Sequence, residues 1–235
     1  MIKHGEVIHL SASDLVGHLD CRHLTDLDVE ALHGRIQRPH FHDPLLDILV
    51  KRGALHERSY LEHLAGQGYQ VLEIEGAGVT QALADRTLHA MRSGAQAIAQ
   101  AALLHDGWGG RADLLLRVPT PSALGDWSYE AIDTKLARET RGGTILQLSL
   151  YSDLICVAQG VNPERMHVVI PGSGFEPESY RTAAFAAYYR YARRRLERSL
   201  AERTGIGTYP EPNEHCEICR WRVPCDARRR RDDHL

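Results

Sequence analysis

The stretch from Gly109 to Lys135 constrains the fold more than any other part of the chain. It contains an apolar, branched segment at 112–118 and an alternating polar and apolar segment at 128–136, joined by a connection that contains Pro, Gly and Ser. Both segments are typical of strands, so the stretch predicts a β-hairpin. Symmetry about position 123 would place two pairs of residues opposite each other: Asp113 with Asp133, and Arg111 with Lys135.

The paired acids of this hairpin point to chemistry as well as to structure. Facing residues of antiparallel strands have Cβ atoms roughly 4.5–5.5 Å apart. Two carboxylates at that distance repel unless a cation lies between them or one is protonated, and Asp133 shares a strand face with Lys135. Oxygen ligands beside an ammonium suit metal-dependent phosphodiester cleavage. A surface hairpin with a solvated salt bridge explains the same residues, so both interpretations stay open.

The composition excludes some classes of protein. A chain of 235 residues with 43% hydrophobic and 25% charged content can form a proper core and predicts one domain over residues 1–235. The net charge of -3 and pI near 6.5 restrict any nucleic-acid affinity to local patches. No apolar run approaches the roughly 20 residues of a membrane span, and the N-terminus lacks a signal-peptide core. We therefore expect a cytoplasmic protein without a membrane partner.

The segments around the hairpin have regular periodicities. Apolar positions recur at helical spacing after Asp43-Pro44, which is a helix start, and Gly66 and Gly68 end the pattern. The remaining predicted elements are a strand at 69–75, an Ala-rich helix at 80–104, a helix that ends at Gly160 and a strand at 166–170. With the hairpin, this order predicts an α/β fold in which helices flank a mixed sheet.

Two of these helices contribute polar side chains of interest. His56 lies among the inward positions of the helix that follows Pro44, whereas Glu57 turns to another face. An inward histidine is more often a hydrogen-bonded core residue than a ligand, and both interpretations stay open. In the helix that ends at Gly160, Gln147 and Tyr151 are one turn apart and share a face.

A long helix predicted at 179–203 interleaves tyrosines with arginines. Guanidinium groups pair with phosphates and tyrosine rings stack on bases, so this helix could hold single-stranded nucleic acid. Arg190 and Arg194 are the candidate phosphate contacts. A solvated helix whose tyrosines pack on the core is the alternative.

The C-terminal region has the spacing of a metal site. Cys216 and Cys219 form a Cys-x-x-Cys pair, and Cys225 follows six residues later. Three thiolates need a fourth partner, which is either His215 or Cys21, and four thiolates suit tetrahedral zinc or an iron-sulfur cluster. Cys21 is predicted to lie within an N-terminal helix, ahead of a polar region at 22–42, and its use would join the two ends of the chain. The sequence ends in a helical pattern, which predicts that the natural protein continues.

These motifs, taken together, resemble those of RecB-type nucleases in the PD-(D/E)XK superfamily. One cysteine before the core and three after it are similar to the iron-sulfur subgroup, which includes CRISPR-associated exonucleases, AddB and eukaryotic helicase-nucleases. The resemblance extends from Cys21 to Cys225. Two features differ from it: Asp133 stands where Glu is common, and Arg-His follows Cys21 where Pro-Arg is frequent. The matching motif residues are His56, Asp113, Asp133, Lys135, Gln147 and Tyr151.

The resemblance implies a restriction-endonuclease-like fold and a role for each motif residue. It implies that His56, Asp113 and Asp133 bind Mg²⁺ or Mn²⁺, that Lys135 acts on the nucleophilic water, and that Gln147 and Tyr151 orient the lysine and the DNA. It also implies that four cysteines bind a four-iron, four-sulfur cluster, with zinc as the less favoured occupant: Cys21, Cys216, Cys219 and Cys225.

The function implied is a metal-dependent deoxyribonuclease, in particular an exonuclease that acts on single-stranded DNA or DNA ends. Its setting would be nucleoid-associated DNA repair, recombination or CRISPR-type processing, with a fused or associated helicase or further domain as partner. Two other functions fit the same residues. One is a non-catalytic DNA-binding module that serves a helicase, and the other is a zinc-stapled interaction domain without nucleic acid.

Overall fold

The computed structural model describes residues 1–4, 7–40, 44–203 and 205–234. The chain divides into two compact units. We call Met1–Asp43 with Arg190–Leu235 the terminal unit, and Pro44–Tyr189 the central unit. The expectation of one domain over residues 1–235 stays a prediction.

The N-terminal part of the terminal unit consists of two short strands and two helices. The Asp14 carboxylate accepts hydrogen bonds from the amide (2.9 Å) and the hydroxyl (2.8 Å) of Ser11, and these bonds fix the start of the first helix. The elements are an antiparallel pair, β1 (Ile2–His4) and β2 (Val7–His9), followed by α1 (Ala12–Asp20) and α2 (Arg22–Leu32).

Cys21 departs from the prediction, because it lies between α1 and α2 instead of within a helix. Its backbone is extended, with φ -154° and ψ 109°. The polar region at 22–42 is also helical over its first eleven residues. The helical periodicity of α2 is difficult to recognise in the sequence, because the helix buries polar side chains. Asp26 and Glu30 are among them, and both are paired inside the terminal unit.

The central unit begins with a long helix and then alternates helices with strands. The helix start predicted at Asp43 lies outside the described residues. The helix predicted to end at Gly160 does end there, and this glycine takes a left-handed conformation (φ 76°). In chain order the elements are α3 (Pro44–Gly66), β3 (Val71–Glu73), α4 (Gln81–Arg92), β4 (Ala97–His105), β5 (Trp108–Val118), β6 (Ser128–Thr134), α5 (Gly142–Gln159), β7 (Arg165–Val169), β8 (Glu178–Arg181) and the first part of α6 (Thr182–Ala201), whose residues from Arg190 onward belong to the terminal unit.

The six strands form one mixed sheet in the order β3-β4-β5-β6-β7-β8. β3 with β4 and β6 with β7 pair in parallel, whereas the other neighbours are antiparallel. The predicted α/β class with a mixed sheet flanked by helices is therefore confirmed, and the sheet is compatible with a restriction-endonuclease-like fold. The hairpin register is confirmed as well, since the pairs from Leu114–Ile132 to Val118–Ser128 are all symmetric about position 123.

The Ala-rich helix predicted over residues 80–104 is wrong in its second half. The helix ends at Arg92, Gly94 takes a left-handed conformation (φ 71°), and residues 97–105 form β4 in the interior of the sheet. Alanine favours helices in isolation, but here Ala97, Ala99 and Ala101 are fully buried in a strand with neighbours on both sides. Tertiary packing outweighs local propensity at this point.

The core of the central unit lies between α3 and the sheet. Tyr60 and Leu64 of α3 pack on side chains from four neighbouring strands, including Leu114 of β5 and Ile132 of β6. β6 is buried over six consecutive residues, as expected for a strand covered on both faces. This burial fixes the hairpin that carries the two acids.

The C-terminal part of the chain starts with α6, which begins at Thr182; residues 179–181, predicted as helix, belong to β8 instead. A short 3₁₀ helix (Glu214–Glu217) and α7 (Arg222–Arg231) follow. In the described parts of the chain, no helix is both long enough and apolar enough to cross a membrane.

Candidate active site and cysteine cluster

The β5–β6 hairpin brings Asp113 and Asp133 together at the end of its paired region. The last pair is Leu114 with Ile132, and the two aspartates are the next residue on each strand. Oδ2 of Asp113 accepts hydrogen bonds from both the amide and the hydroxyl of Thr134, each 2.8 Å long. The backbone of β6 thus fixes the Asp113 carboxylate beside Asp133.

Asp133 is the most unusual carboxylate of the site, because its side chain is fully buried. Burial raises its pKa to about 7, and the nearby charge of Asp113 contributes further. Oδ1 accepts a hydrogen bond from Nε2 of Gln147 (3.0 Å). Oδ2 forms an ion pair of 2.7 Å with Nζ of Lys135, and this cation counteracts part of the rise in pKa. A buried carboxylate beside a second carboxylate is stabilised in its charged form by nearby cations.

α5 contributes the groups that surround the lysine. Lys135 Nζ donates to Oε1 of Gln147 at 3.3 Å, and Gln147 Nε2 also donates to the hydroxyl of Tyr151 at 3.0 Å. The Tyr151 hydroxyl donates to the carbonyl of Arg111 at 2.9 Å. The chain of hydrogen bonds from Lys135 to β5 therefore joins three of the residues predicted from the sequence.

The position of Tyr151 depends on a glycine that the sequence analysis did not identify. A Cβ atom at Gly110 would collide with the Tyr151 ring, so only glycine fits there without displacing the tyrosine. Burial, with the nearby charge of Asp133 as the second cause, raises the pKa of the Tyr151 hydroxyl. The hydroxyl is therefore a neutral hydrogen-bond donor. The Gly109-Gly110 pair ahead of Asp113 was the available signal.

His56 occupies a different environment from the aspartates. Its Nε2 lies 3.3 Å from the carbonyl oxygen of Val169, and its ring stacks on Phe175 with centroids 5.9 Å apart. These contacts match the hydrogen-bonded core histidine that the sequence allowed. Its role as a metal ligand stays a prediction.

Glu57 is a half-buried carboxylate of α3, which helical periodicity placed on a different face from His56. Burial raises the pKa of its carboxyl group, and the charge of Asp113 is the next largest cause. Glu57 also contributes to the raised pKa of Asp133. Its hydrogen-bond donor is Gln100 of β4, which was hidden in a segment predicted as helix. As the side chains stand, no group of three or more His, Cys, Asp and Glu residues in the described ranges is arranged to hold a metal ion.

The four cysteines of the predicted cluster lie together in the terminal unit. They line one small cavity of about 20 Å³, although they come from the junction of α1 and α2, from the 3₁₀ helix, from the turn after it and from α7. Burial raises the pKa of Cys225 to about 11, with the other three thiols contributing, and burial also raises the pKa of Cys219. The residues that meet are Cys21, Cys216, Cys219 and Cys225.

The alternative fourth ligand, His215, also lines this cavity. Its Nδ1 lies 3.2 Å from Oδ2 of Asp20. Cys21, in contrast, influences the pKa of both Cys219 and Cys225, whereas His215 is not among the causes of either shift. Cys21 and His215 both lie beside the three C-terminal cysteines, so the choice of fourth ligand stays a prediction. Cys156 lies half-buried on α5, and burial raises its pKa.

Hydrogen bonds also join the ends of the chain near the cysteines. The Asn213 side chain donates to the carbonyl of Asp20 (3.0 Å), and the Trp221 indole donates to Asp28 (2.8 Å). Arg203 pairs with Asp26 and with Glu30. The terminal unit therefore has polar connections of its own around the cysteines.

The tyrosine and arginine helix, α6, has mixed exposure. Tyr189 is buried and donates to Asp153 at 3.0 Å. Arg193 pairs with Glu197 of the same helix. Arg190 and Arg194 are exposed, as a phosphate-binding role requires.

Sequence comparisons add nothing to this geometry. The sequence matches no family model, and no curated protein matches it.

Proposed function

We propose that this protein is a metal-dependent deoxyribonuclease with a restriction-endonuclease-like central unit. The observation that carries the proposal is the convergence of Asp113, Asp133 and Lys135 at one end of a buried hairpin. A structural salt bridge alone does not explain a fully buried aspartate placed beside a second aspartate, because each raises the free energy of the other in its charged form.

The donor set fits Mg²⁺ or Mn²⁺. Both ions prefer oxygen ligands, and Asp113 and Asp133 place carboxylates side by side at the end of the paired hairpin. Asp113 and Asp133 would hold the ion, and the resemblance adds His56. When bound, such an ion acts as a Lewis acid and lowers the pKa of a coordinated water.

The remaining residues would position the reactants. Lys135 places a positive charge beside Asp133, where the attacked phosphate would lie, and Gln147 restrains its ammonium group. Tyr151 anchors Gln147 to the backbone of β5. Such preorganised charge is the main contribution that a protein makes to phosphoryl transfer.

The cysteine cavity supports a structural metal centre in the same protein. Four thiols fit a four-iron, four-sulfur cluster, with zinc as the less favoured occupant. Cys21, Cys216, Cys219 and Cys225 would hold it and join the ends of the terminal unit. We further propose single-stranded DNA or DNA ends as substrate and a helicase, fused or associated, as partner.

The test is digestion of end-labelled single-stranded and double-stranded DNA with Mn²⁺, with Mg²⁺ and with chelator. We expect cleavage that needs the metal and disappears in Asp113→Asn, since Asn keeps the acceptor for Thr134 but loses the charge. Asp106→Asn, at an exposed turn, is the matched control. Metal-independent binding without cleavage by the unaltered protein would favour the DNA-binding module instead.

A further inference from the structure

A groove in the central unit lies between the N-terminal half of α3 and the segment that follows β6. Its volume is about 740 Å³, and its lining includes Leu49 and Leu55 from α3, Leu136 from the segment after β6, and Pro171 from the turn after β7. A water molecule takes up about 30 Å³ in the liquid. The groove therefore has room for a ligand much larger than water.

The groove adjoins the proposed active site through the backbone of Val169. The carbonyl oxygen of Val169 accepts a hydrogen bond from the Lys135 amide (3.0 Å), and Nε2 of His56 lies 3.3 Å from the same oxygen. Leu136 follows Lys135 in the chain, and Leu55 precedes His56. A ligand in the groove consequently lies next to the lysine that is proposed to face the attacked phosphate.

The charge in the groove favours an anionic ligand. Arg52 and Arg138 line it and are exposed, and within the described residues neither guanidinium group is paired with a carboxylate. No acidic side chain is among the described residues that line the groove. Guanidinium groups bind phosphates through two parallel hydrogen bonds, so the two arginines match a ligand with successive phosphates.

The apolar part of the lining favours a nucleic acid with unpaired bases. Leu49 is 41% exposed and Leu55 is 62% exposed, although leucine is usually buried. A single strand presents the faces of its bases, whereas a duplex stacks them and presents base edges and phosphates. Leucine is among the apolar side chains that insert between bases and unstack them. Exposed leucines beside two cations therefore match an extended single strand better than a duplex.

We infer that this groove holds a single DNA strand that leads to Lys135, with Arg52 and Arg138 on its phosphates and with Leu49 and Leu55 against its bases. The inference rests on the proposed function for the identity of the ligand as DNA. It makes the groove the part of the protein that selects a single strand over a duplex.

The test measures binding of labelled oligothymidylate and of a labelled duplex to the full chain by fluorescence anisotropy. Chelator is present throughout, so that metal-dependent cleavage does not interfere. We expect tighter binding of the single strand. Leu49→Ser combined with Leu55→Ser should weaken that binding by about tenfold or more, the change expected when the apolar contact of a leucine is lost. Binding of the duplex should not change.

The fold of this double variant should persist because both leucines are exposed. Val50→Ser is the matched control. Val50 is 71% exposed on the same helix but does not line the groove, so its variant should bind like the unaltered protein.

The arginines should have a different signature from the leucines. Arg52→Gln combined with Arg138→Gln should reduce the slope of log affinity against log salt by about 1.4, because each phosphate contact on a single strand contributes about 0.7. The leucine variant should keep the slope. Arg58→Gln, exposed on α3 outside the groove, is the control for charge.

Cleavage with Mn²⁺ supplies a further measurement. The leucine variant should need more single-stranded DNA for half-maximal cleavage but reach the rate of the unaltered protein at saturation. A variant that merely damaged the fold would lose the rate at saturation as well.

The outcomes separate this inference from the proposed function. Equal or weaker affinity for the strand than for the duplex overturns the inference, and so does unchanged binding by either double variant. Displacement of the strand by polyglutamate as readily as by unlabelled strand overturns it too, because the groove would then recognise charge alone. Selective binding that depends on the groove, in a protein that cleaves no DNA, supports the inference and contradicts the nuclease.

Discussion

The acid site of the central unit and the cysteine cluster of the terminal unit are held in place in different ways. Protein hydrogen bonds fix Asp113 to Thr134 and link Asp133, through Gln147 and Tyr151, to the backbone of β5. The cysteines instead meet from four separate segments around a small cavity. A preformed site needs an ion only for chemistry, whereas a site assembled from distant segments needs the ion for folding.

The raised pKa of a cluster thiol is consistent with a site that needs a metal to form. Burial raises the pKa of Cys225 to about 11, so the thiol is protonated at neutral pH, and a metal must displace protons to bind. The terminal unit nevertheless contains a second, metal-independent connection in the ion pairs of Glu30 with Arg35 and Arg203. The stability of the terminal unit without bound metal is therefore the property to measure.

The largest effect should come from the cluster itself. Cys219→Ser should lose nearly all bound iron or zinc, because thiolates bind these metals far better than hydroxyls do. Structural metal sites contribute about 10 kcal/mol to folding, so loss of soluble yield and freer terminal segments should follow. Iron and zinc content, absorption spectra and hydrogen exchange at both ends of the chain would measure this.

Cys156→Ser is the matched control for that experiment. Its thiol lies on α5, outside the cluster, and the variant should keep its metal. The same measurements on Cys21→Ser and His215→Ala decide the fourth ligand. Full metal in Cys21→Ser with loss in His215→Ala would replace the four-cysteine cluster by a local zinc site.

The next effect should appear in catalysis with little change in folding. Lys135→Ala should slow cleavage by about a hundredfold to a thousandfold, as expected when one preorganised electrostatic group is removed. The fold should persist because Asp133, whose pKa is raised to about 7, can take up a proton when its partner is lost. Single-turnover cleavage and thermal melting would be compared with Lys51→Ala, at an exposed position of α3. Equal rates in the two variants would remove Lys135 from the mechanism.

Glu30→Gln should reveal the metal-independent connection of the terminal unit. Arg35 is the main cause that lowers the pKa of Glu30 to about 2, from an ordinary value of 4.5. The stabilisation is therefore complete above pH 4.5 and is lost as the pH falls towards 2. At pH 7 the variant should lose about 1.5–3 kcal/mol of unfolding free energy, as for hydrogen bonds to charged groups.

Urea unfolding at several pH values would measure the Glu30 effect. Glu202→Gln is the control, since Glu202 lies 4.0 Å from Arg198 in an exposed ion pair and should matter little. A deficit in Glu30→Gln that is as large at pH 2 as at pH 7 would show that charge is not the cause.

The smallest effect should come from the surface of α6. Replacing Arg190 and Arg194 together by Glu should weaken DNA binding and flatten its dependence on salt, because each phosphate contact releases counterions. Fluorescence anisotropy across a salt titration would measure both properties. Arg198→Glu, in the exposed pair with Glu202, is a suitable comparison. Unchanged affinity for DNA would show that this part of α6 is a solvated surface without a role in binding.

The hairpin and the residues at its end follow from local sequence patterns. The register about position 123 follows from two alternating segments and the connection between them, because a strand that slipped by one residue would turn its apolar side chains away from the core. The end of α5 at Gly160 has a similarly local cause, the left-handed conformation that glycine adopts easily. Asp113, Asp133 and Lys135 were found for these reasons.

Other features of the fold depend on contacts between distant segments. β4 was predicted as helix because alanine favours helices locally, while its actual state depends on β3 and β5, which pair with it on either side. Glu57 and Gln100 belong to distant segments, and their contact exists only because α3 lies against the sheet. Cys21 likewise shares a cavity with residues near 216–225, far along the chain. Local patterns carry no information about partners so far apart in sequence, and burial against those partners selects the final conformation.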